Sequence, residues 1–438
     1  MKPEENKTGI FTVILSLIVG VLTSQAFAQG TWETKAPMPT ARGGMATGVI
    51  TDQLYVAAGF PAGTTAVEVY DPPTDTWTTR APIPTSRAYA SAGVIDGKLY
   101  VVGGCINSDC IPGNTNILEV YDPATDTWTT KTPMPTARNT MVAGAIDGKL
   151  YVVGGMQQCG QCLSLNTLEV YDPATDTWTT KAPMPTARSH MGGAVINGKL
   201  YVVGGINIGF PGDPATTLAT LEVYDSSTDA WTTKAPMPTA RRTLGAGEAN
   251  GILYAVSGGL ADGTAVNTVE AYDPATDTWI TVATIPTARY LPKPQGINGV
   301  LYVAGAGAGN TAISTFEAFT AFTSVIQVAI DIKPGSFPNS INPKSKGKIP
   351  VAILTTDSFD ATTVDPTTVL FGSTGTESAP VHSALEDVNG DGDNDLILHF
   401  NTQATGIQCG DTSASLTGET FSGQEIQGSD SIKTVGCK

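Results

Sequence analysis

The stretch TLEVYDPATDTWTTKAPMPTARSHMGGAVINGKLYVVGG, residues 167–205, recurs along the chain and decides its fold. Aligned on tryptophan, its copies are centred on Trp32, Trp77, Trp128, Trp178, Trp231 and Trp279. The intervals between these tryptophans are 45, 51, 50, 53 and 48 residues. Because a period of about 50 residues is typical of propeller blades, the sequence predicts a ring of similar small sheets.

Each copy reads as short strands joined by tight turns. Apolar runs such as LYVVGG and LEVYD are separated by DPATD, APMPT and NGK segments, which is the chemistry of strands and turns. The spacing from Arg to Tyr is constant, from Arg42 to Tyr55 in the first copy to Arg289 to Tyr302 in the last, so the length varies only in the loop after the paired glycines. We therefore predict four antiparallel strands per copy, with the tryptophans packed between neighbouring sheets.

This unit resembles the Kelch repeat, in which a glycine pair closes one strand, a tyrosine closes the next and a tryptophan opens the one after. Gly154 and Gly155, Tyr171 and Trp178 carry these marks in one copy. The first and last copies depart from the glycine pair, with Ala58-Gly59 and Gly305-Ala306. The Gly-His and Trp-Asp signature of another propeller class is absent.

Closure of the ring is predicted from the two ends of the array. The first tryptophan strand, from Thr31, precedes every inner strand, whereas the last copy ends at STFEAFTAF without a tryptophan. We expect Trp32 to lie beside the strand that contains Phe316. The predicted fold is an all-β, six-bladed propeller over residues 29–323 that is closed by the amino-terminal strand and leaves no free edge.

An apolar run, FTVILSLIVGVL, followed by Ala26-Phe27-Ala28, predicts a secretory signal peptide over residues 1–28. The run is shorter than the roughly 20 residues of a membrane span, although Glu4 and Glu5 weaken the usual positive start and leave an uncleaved anchor as the alternative. The protein is thus expected in the periplasm or outside the cell. Its net charge of -16 argues against nucleic acid or anionic lipid as a partner.

Six cysteines in an exported chain predict disulfides between neighbours in sequence. The expected pairs are Cys105 with Cys110, Cys159 with Cys162, and Cys409 with Cys437. A zinc site made from the four loop cysteines is the alternative. Redox activity at the Cys159–Cys162 motif would need a cysteine at a helix start, and no helix is predicted there.

Each copy also repeats one arginine and one glutamate. Because ligand sites are seldom repeated six times, we interpret these residues as structural ion pairs within the blades. An arginine ring around the channel mouth is the alternative. The glutamates are Glu68, Glu119, Glu169, Glu222, Glu270 and Glu317.

Residues that differ between copies mark the candidate binding surface. The loop that enters the inner strand and the variable loop emerge on the same face of each sheet, and both supply hydroxyl, amide, aromatic and cationic groups. This mixture suits a carbohydrate or a peptide segment of a protein. The candidate ligand-binding residues are Tyr89, Asn139, Ser189, His190, Arg242 and Tyr290.

The resemblance to Kelch proteins leaves two enzyme classes as alternatives to a binding module. A copper oxidase of the galactose-oxidase type would need several histidines, but the repeats contain one, His190. A carbohydrate-modifying enzyme of the sialic-acid mutarotase or epimerase type needs acid, base and arginine groups, for which Glu248, Arg242 and His190 are weak candidates. The favoured prediction is a binding or adhesion module for a glycan or protein.

Residues 324–438 lack the repeat, and their strand-like segments predict a small β-sandwich. Within them, the loop DVNGDGDND resembles the calcium loops of integrin-type propeller repeats, also called FG-GAP repeats. Oxygen side chains at alternating positions can surround a cation that prefers six to eight oxygens. The expected Ca²⁺ ligands, in a structural role, are Asp387, Asn389, Asp391, Asp393 (through its carbonyl) and Asp395.

Overall fold

The computed structural model describes residues 30–61, 64–106, 113–157, 162–209, 213–305, 307, 311–320, 326–356, 359–421 and 425–437. Their secondary structure is β-strand, apart from two 3-10 turns at Ala361–Thr363 and Thr402–Ala404. The predicted signal peptide lies outside the described residues. In the part that is described, no helix is long and apolar enough to span a membrane.

The repeats form four-stranded antiparallel sheets, each built from strands that follow one another along the chain. The chain starts with β1 (Trp32–Thr34). The first three sheets consist of β2 (Ala46–Ile50), β3 (Gln53–Ala57), β4 (Val67–Asp71) and β5 (Thr76–Arg80); β6 (Ser91–Ile95), β7 (Lys98–Val102), β8 (Leu118–Asp122) and β9 (Thr127–Lys131); and β10 (Val142–Ile146), β11 (Lys149–Val153), β12 (Leu168–Asp172) and β13 (Thr177–Lys181).

Three further sheets continue the series. The fourth consists of β14 (Gly192–Ile196) and β15 (Lys199–Val203), then, after a loop hairpin of β16 (Ile206–Asn207) and β17 (Thr216–Thr217), β18 (Leu221–Asp225) and β19 (Ala230–Lys234). The fifth consists of β20 (Gly245–Ala249), β21 (Ile252–Val256), β22 (Val269–Asp273) and β23 (Thr278–Val282). The sixth adds β1 to β24 (Lys293–Ile297), β25 (Val300–Ala304) and β26 (Phe316–Thr320).

The amino-terminal strand β1 lies against the end of the repeat array. It pairs with β26, where Trp32 is opposite Phe319, as the sequence predicts. The first strand of each sheet contacts the first strand of the next, and β24 in turn contacts β2. These inner strands surround a central channel.

Neighbouring sheets are joined at their outer strands by a tyrosine, an aspartate and a tryptophan. In the third sheet, Tyr171 lies opposite Trp178 with ring centroids 5.3 Å apart. Trp178 Nε1 donates a hydrogen bond to the Thr132 carbonyl of the preceding sheet at 2.9 Å. Asp176 accepts one from Tyr171 Oη at 2.6 Å and one from Thr132 N at 3.0 Å. The tryptophan is half-buried, so it links the sheets at their outer edge and is not enclosed between them.

The repeated arginines and glutamates form ion pairs inside the sheets, which confirms the structural interpretation. Arg188 Nη2 lies 2.8 Å from Glu222 Oε2, and both side chains are buried. The guanidinium also donates to the carbonyls of Thr220 and Val202, at 2.7 and 3.1 Å. Burial lowers the pKa of Arg188 to about 10, which still leaves it charged at neutral pH. The same pairing joins Arg42 to Glu68, Arg87 to Glu119, Arg138 to Glu169, Arg241 to Glu270 and Arg289 to Glu317.

The carboxyl-terminal region contains two four-stranded sheets that share one apolar core. Its strands are β27 (Ile326–Gln327), β28 (Ile330–Ile332), β29 (Ser340–Ile341), β30 (Lys348–Ile353), β31 (Val364–Gly372), β32 (Pro380–Glu386), β33 (Asp395–Asn401), β34 (Ser413–Thr420), β35 (Glu425–Ser431) and β36 (Lys433–Thr434). One sheet has the order β27-β35-β34-β31 and the other β28-β30-β33-β32. Phe371 and Phe400 meet between them with ring centroids 5.0 Å apart.

Candidate functional site

The channel is narrowed at its loop-face end by a ring of backbone that we call the collar. The collar consists of the second residue after each repeated arginine, and all six residues have a left-handed backbone with φ between 50° and 58°. Around the ring, the N–H of one collar residue donates to the carbonyl of the preceding one, at 2.6 to 3.1 Å, in five places. The collar residues are Gly44, Tyr89, Thr140, His190, Thr243 and Leu291.

The collar separates the loop face from the interior of the channel. Each of these backbone conformations costs about 1 to 3 kcal/mol for a residue other than glycine, so the surrounding structure must enforce it. The residues that directly follow the collar, including Met141, Met191 and Leu244, line the channel cavity. The loop face therefore meets the channel at a rim of protein backbone.

Two of the predicted ligand-binding residues hold the variable loops in place. Asn139 and Ser189 are 1% and 0% exposed. Asn139 Nδ2 donates to Asn114 Oδ1 at 2.7 Å, and the Ser189 hydroxyl lies 3.1 Å from His190 Nδ1. Because their polar atoms face other protein groups, these two side chains fix the base of the loops and do not reach the rim.

The other predicted residues lie around the rim, and three of them form a polar arc. His190, Arg242 and Tyr290 are half-buried. Burial and the nearby charge of Arg242 lower the pKa of His190 to about 4, so this imidazole is neutral at physiological pH. Tyr290 Oη donates to the carbonyl of Gly263. The polar arc thus carries one fixed positive charge, on Arg242.

Another part of the rim, which adjoins the polar arc at Leu291, is an apolar arc. Phe60 and Ala88 are buried there, with Tyr89 and Leu291 packed against them. The rings of Phe60 and Tyr89 lie 5.6 Å apart. Gly44 lies beneath them, and a Cβ atom at that position would be 2.8 Å from Tyr89 Cδ1. The rim is consequently apolar on one side and cationic on the other.

Glu248 does not belong to this rim. It lies in β20 near the turn at the opposite end of the channel, where its Oε1 accepts a hydrogen bond from Gly251 N at 2.8 Å. It lines a cavity of about 630 Å³ together with Phe359 and Asp360 of the carboxyl-terminal region. Arg242 precedes β20 and lies beside the collar residue Thr243, whereas Glu248 is the fourth residue of this five-residue strand and lies next to the turn at its far end. Glu248, Arg242 and His190 are therefore not brought together as an acid, base and arginine set.

The channel contains a cation that the sequence comparison missed. Lys293, the first residue of β24, lines a cavity of about 60 Å³. Burial lowers its pKa to about 8. The corresponding residues of the other inner strands are small or apolar, namely Ala46, Ser91, Val142, Gly192 and Gly245. A comparison of the repeats at this position, and not only at that of Glu248, would have found it.

The Asp-rich loop connects β32 to β33. Asp387 accepts hydrogen bonds from Gly390 N and Gly392 N at 2.7 and 3.1 Å. Asn389 Oδ1 accepts one from Asp391 N at 3.0 Å. Gly390 and Gly392 have φ of 79° and 99°, so they allow the tight wrap that the sequence predicts.

The donor chemistry of this loop suits a hard cation, but its carboxylates are not gathered around a point. Among the described residues, no group of three or more His, Cys, Asp or Glu side chains lies close enough to hold one metal ion. Asp395 is buried at the base of the loop, where it accepts hydrogen bonds from Thr355 N and Val388 N. A cation would require the exposed carboxylates, such as Asp391 and Asp393, to turn inward.

The cysteines form disulfides where the structure describes them. Cys409 is bonded to Cys437, with Cα atoms 5.7 Å apart. Cys105 and Cys162 are also disulfide-bonded, whereas Cys110 and Cys159 lie outside the described residues. Because a zinc ligand must be a free thiolate, the bonded sulfurs of Cys105 and Cys162 do not provide a zinc site.

Comparisons with known proteins agree with this architecture. The family described as "KLHDC2/KLHL20/DRC7 Kelch-repeats domain" matches residues 19–205 and 129–306. Kelch-like protein terF of Aspergillus terreus is 44% identical over 43 residues, which is 10% of this chain and 9% of that protein. A solved structure titled "Structure of YjhT" superposes with a TM-score of 0.56 at 19% identity, covering 64% of this chain and 95% of that one. This structural likeness concerns the fold alone.

Proposed function

This chain belongs to the Kelch-repeat family, and from that premise we propose that it is a binding module whose loop face recognises a peptide segment of a partner protein. The observation that carries the proposal is the division of the rim into two parts. These are an apolar arc at Phe60 and Tyr89 and the polar arc, which contains the positive charge of Arg242. Such a rim fits a segment in which an apolar side chain lies near a carboxylate.

Two further observations support this proposal. The rim residues differ between repeats, while the Arg–Glu pairs beneath them do not change, and ligands favour variable loops that are held on a rigid scaffold. The apolar arc supplies aromatic area and the guanidinium supplies fixed donors, two residue types enriched at protein interfaces.

The architecture that we propose is a six-bladed propeller over residues 29–323 and a β-sandwich over residues 324–438. The ring is supported by contacts between successive inner strands from β2 to β24. It is closed by contacts between β24 and β2. The pairing of β1 with β26 supports closure by the amino-terminal strand. The core shared by the two carboxyl-terminal sheets supports the sandwich.

The binding proposal is tested by selecting displayed random peptides against the purified protein. We expect enriched peptides to carry an aromatic or aliphatic residue close to an acidic one, and Arg242→Ala or Tyr89→Ala to weaken their binding at least about tenfold, or about 1.4 kcal/mol. Lys149→Ala is the matched control, because Lys149 is an exposed cation in β11 that pairs with Asp172.

Other outcomes would contradict the proposal. Peptides that bind both rim variants as tightly as the wild type would place recognition elsewhere on the molecule. A parallel screen should also test immobilised glycans. If glycans bound through Arg242 and peptides did not, the ligand would be a carbohydrate and not a protein.

We also propose that the protein is exported after cleavage between Ala28 and Gln29. The apolar run before this site and the disulfide between Cys409 and Cys437 support export to an oxidising compartment. Mass spectrometry of the protein recovered from its native source should find an amino terminus at Gln29. A retained leader would favour the membrane anchor.

A structural Ca²⁺ in the loop of residues 387–395 is a further part of the proposal. Calcium should raise the melting temperature of the wild type and of Asp365→Asn, but not that of an Asp387→Asn/Asp391→Asn variant. Asp365 is a suitable control because its carboxylate likewise accepts a hydrogen bond from a local backbone N–H, that of Thr367, outside the loop. Equal melting temperatures with calcium and with a chelator would contradict the site.

A further inference from the structure

Lys293 is a cation inside the channel whose neighbours offer no opposite charge. The other five inner strands read ATGVI, SAGVI, VAGAI, GGAVI and GAGEA, so Glu248 is their one titratable residue. Gly296, three residues beyond Lys293 in β24, lies beside Glu248, since a Cβ on this glycine would meet the Glu248 carbonyl. Glu248 is therefore about 10 Å further along the channel.

Three residues with hydrogen-bond donors share a cavity with Lys293. Ser91, Thr47 and Gln295 line the same cavity. The Ser91 oxygen accepts a hydrogen bond from Ala143 N at 3.1 Å, which leaves its hydroxyl proton to donate. Gln295 Nε2 donates one of its two protons to Thr47 Oγ1 at 3.1 Å, so its second proton and the Thr47 proton remain. Among the residues that the structure describes, this level of the channel contains several donors and no carboxylate.

Lys293 is half-buried, and its ammonium group lacks the compensation that a charge withdrawn from water normally has. Elsewhere in this molecule, every buried repeat arginine has a glutamate within the same sheet. Among the described residues, no ion pair involves Lys293. A buried charge without a partner is costly, and a bound anion would remove that cost.

The channel is open to a small solute from the end that lies away from the collar. The cavity at Lys293 shares Thr47, Ala143 and Gln295 with a second cavity of about 250 Å³. That second cavity shares Val195 and Glu248 with the 630 Å³ cavity beside the carboxyl-terminal region. The path thus widens from the collar toward the turns, and a volume of about 60 Å³ at its narrow end is enough for a few water molecules or a similarly small anion.

We propose that the channel binds a small oxyanion, such as formate, acetate or nitrate, on Lys293, with Ser91, Thr47 and Gln295 as hydrogen-bond donors. This site is separate from the rim and does not depend on the peptide ligand proposed above. The oxyanion enters from the end of the channel that lies away from the collar. Its negative charge complements the ammonium group of Lys293, and its oxygens accept hydrogen bonds from the nearby donors.

The proposal is tested by thermal unfolding of the protein at pH 7 and constant ionic strength, with formate, acetate or nitrate replacing chloride. We expect a saturable rise in melting temperature for the wild type and for Lys199→Met. Lys293→Met should abolish the rise. Lys199 is the matched control, because it is a lysine at the start of β15 that is paired with Asp225 at 3.0 Å on the exterior.

A second measurement on the wild type keeps the test independent of how the variant folds. An amine-acylating reagent followed by mass spectrometry should modify Lys293 more slowly when formate is present, while Lys199 reacts at the same rate. A melting response that persists in Lys293→Met, or Lys293 acylation that formate does not slow, would overturn the site.

Discussion

The interior of the blades contains buried cations and the channel that the blades enclose contains a half-buried one, but the groups that accompany these cations differ. In each blade, an arginine lies against a glutamate and two or more backbone carbonyls, as at Arg188. In the channel, Lys293 shares its cavity with apolar residues and with the donors Thr47, Ser91 and Gln295. The charge of each repeated arginine is compensated by a glutamate of the same sheet. Lys293 occurs once, and among the described residues no carboxylate pairs with it.

This difference shows how a repeat protein separates structure from binding capacity. A charge that is copied with every repeat must be compensated by a group that is copied with it, because six uncompensated charges would exceed the stability of a folded domain. A charge that occurs once can remain uncompensated and attract a solute. Lys293 and Arg242 both belong to this second kind.

The largest effect should follow from breaking a compensated pair. Glu222→Gln leaves the buried Arg188 without its counter-charge, and we expect the free energy of unfolding to fall by about 3 to 5 kcal/mol. Urea unfolding monitored by tryptophan fluorescence measures this change. The double variant Arg188→Met/Glu222→Leu is the control and should be more stable than Glu222→Gln, since it removes both charges. A loss below about 1 kcal/mol in Glu222→Gln would contradict the role of the pair.

The channel cation should give a smaller effect that depends on pH. Because burial lowers the pKa of Lys293 to about 8, against about 10.4 in an unfolded chain, the unfolded state binds more protons between these values. Stability should therefore rise with pH, by about 2 kcal/mol between pH 7 and 9.5 from this group alone. The difference in unfolding free energy between the wild type and Lys293→Met isolates this contribution from other titrating groups.

Lys293→Met should be the more stable protein at pH 7 in the absence of an oxyanion, with the advantage shrinking as the pH rises. A difference that is independent of pH would mean that Lys293 is hydrated well enough to keep an ordinary pKa. In that case the contrast between the blades and the channel would disappear.

The repeated features could be predicted from the sequence because each was sampled six times. The Arg–Glu pairs and the pairing of Trp32 with the last sheet followed from alignment and strand counting. The rim was only partly predictable, since φ of the collar residues is not visible in the sequence and the direction of Asn139 and Ser189 depends on how the loops fold back. The position of Glu248, by contrast, could have been predicted, because Glu248 is the fourth residue of the inner strand, next to its turn, whereas Arg242 precedes the strand.

The junctions between neighbouring sheets differ from one another in their hydrogen bonds. Five sheets have a tyrosine opposite the tryptophan, whereas the sheet completed by β1 has Phe319 there, and Gly30 replaces the aspartate. Tyr171→Phe copies that sixth junction into the third sheet. We expect a loss of about 1 to 2 kcal/mol in unfolding free energy, because Asp176 loses the hydrogen bond from the buried hydroxyl.

Phe319→Tyr is the matched control for this junction. It adds a hydroxyl where no carboxylate is available, so it should not raise stability. If Tyr171→Phe were neutral, or Phe319→Tyr stabilising, the tyrosine would act through its ring alone and the sixth junction would be equivalent to the others.

The smallest effect should come from the cations on the exterior of the blades. Lys199 lies 3.0 Å from Asp225, and both side chains are exposed to solvent to a substantial extent. Hydrogen bonds from Ser227, together with this pair, lower the pKa of Asp225 to about 2. Exposed pairs nevertheless contribute little to stability because water and salt screen them. Lys199→Met should leave the urea midpoint unchanged at about 0.5 M salt, where the Debye length is about 4 Å. A clear loss of stability in high salt would show that the exterior pairs behave like the buried ones, and burial would then no longer explain why Arg188 needs Glu222.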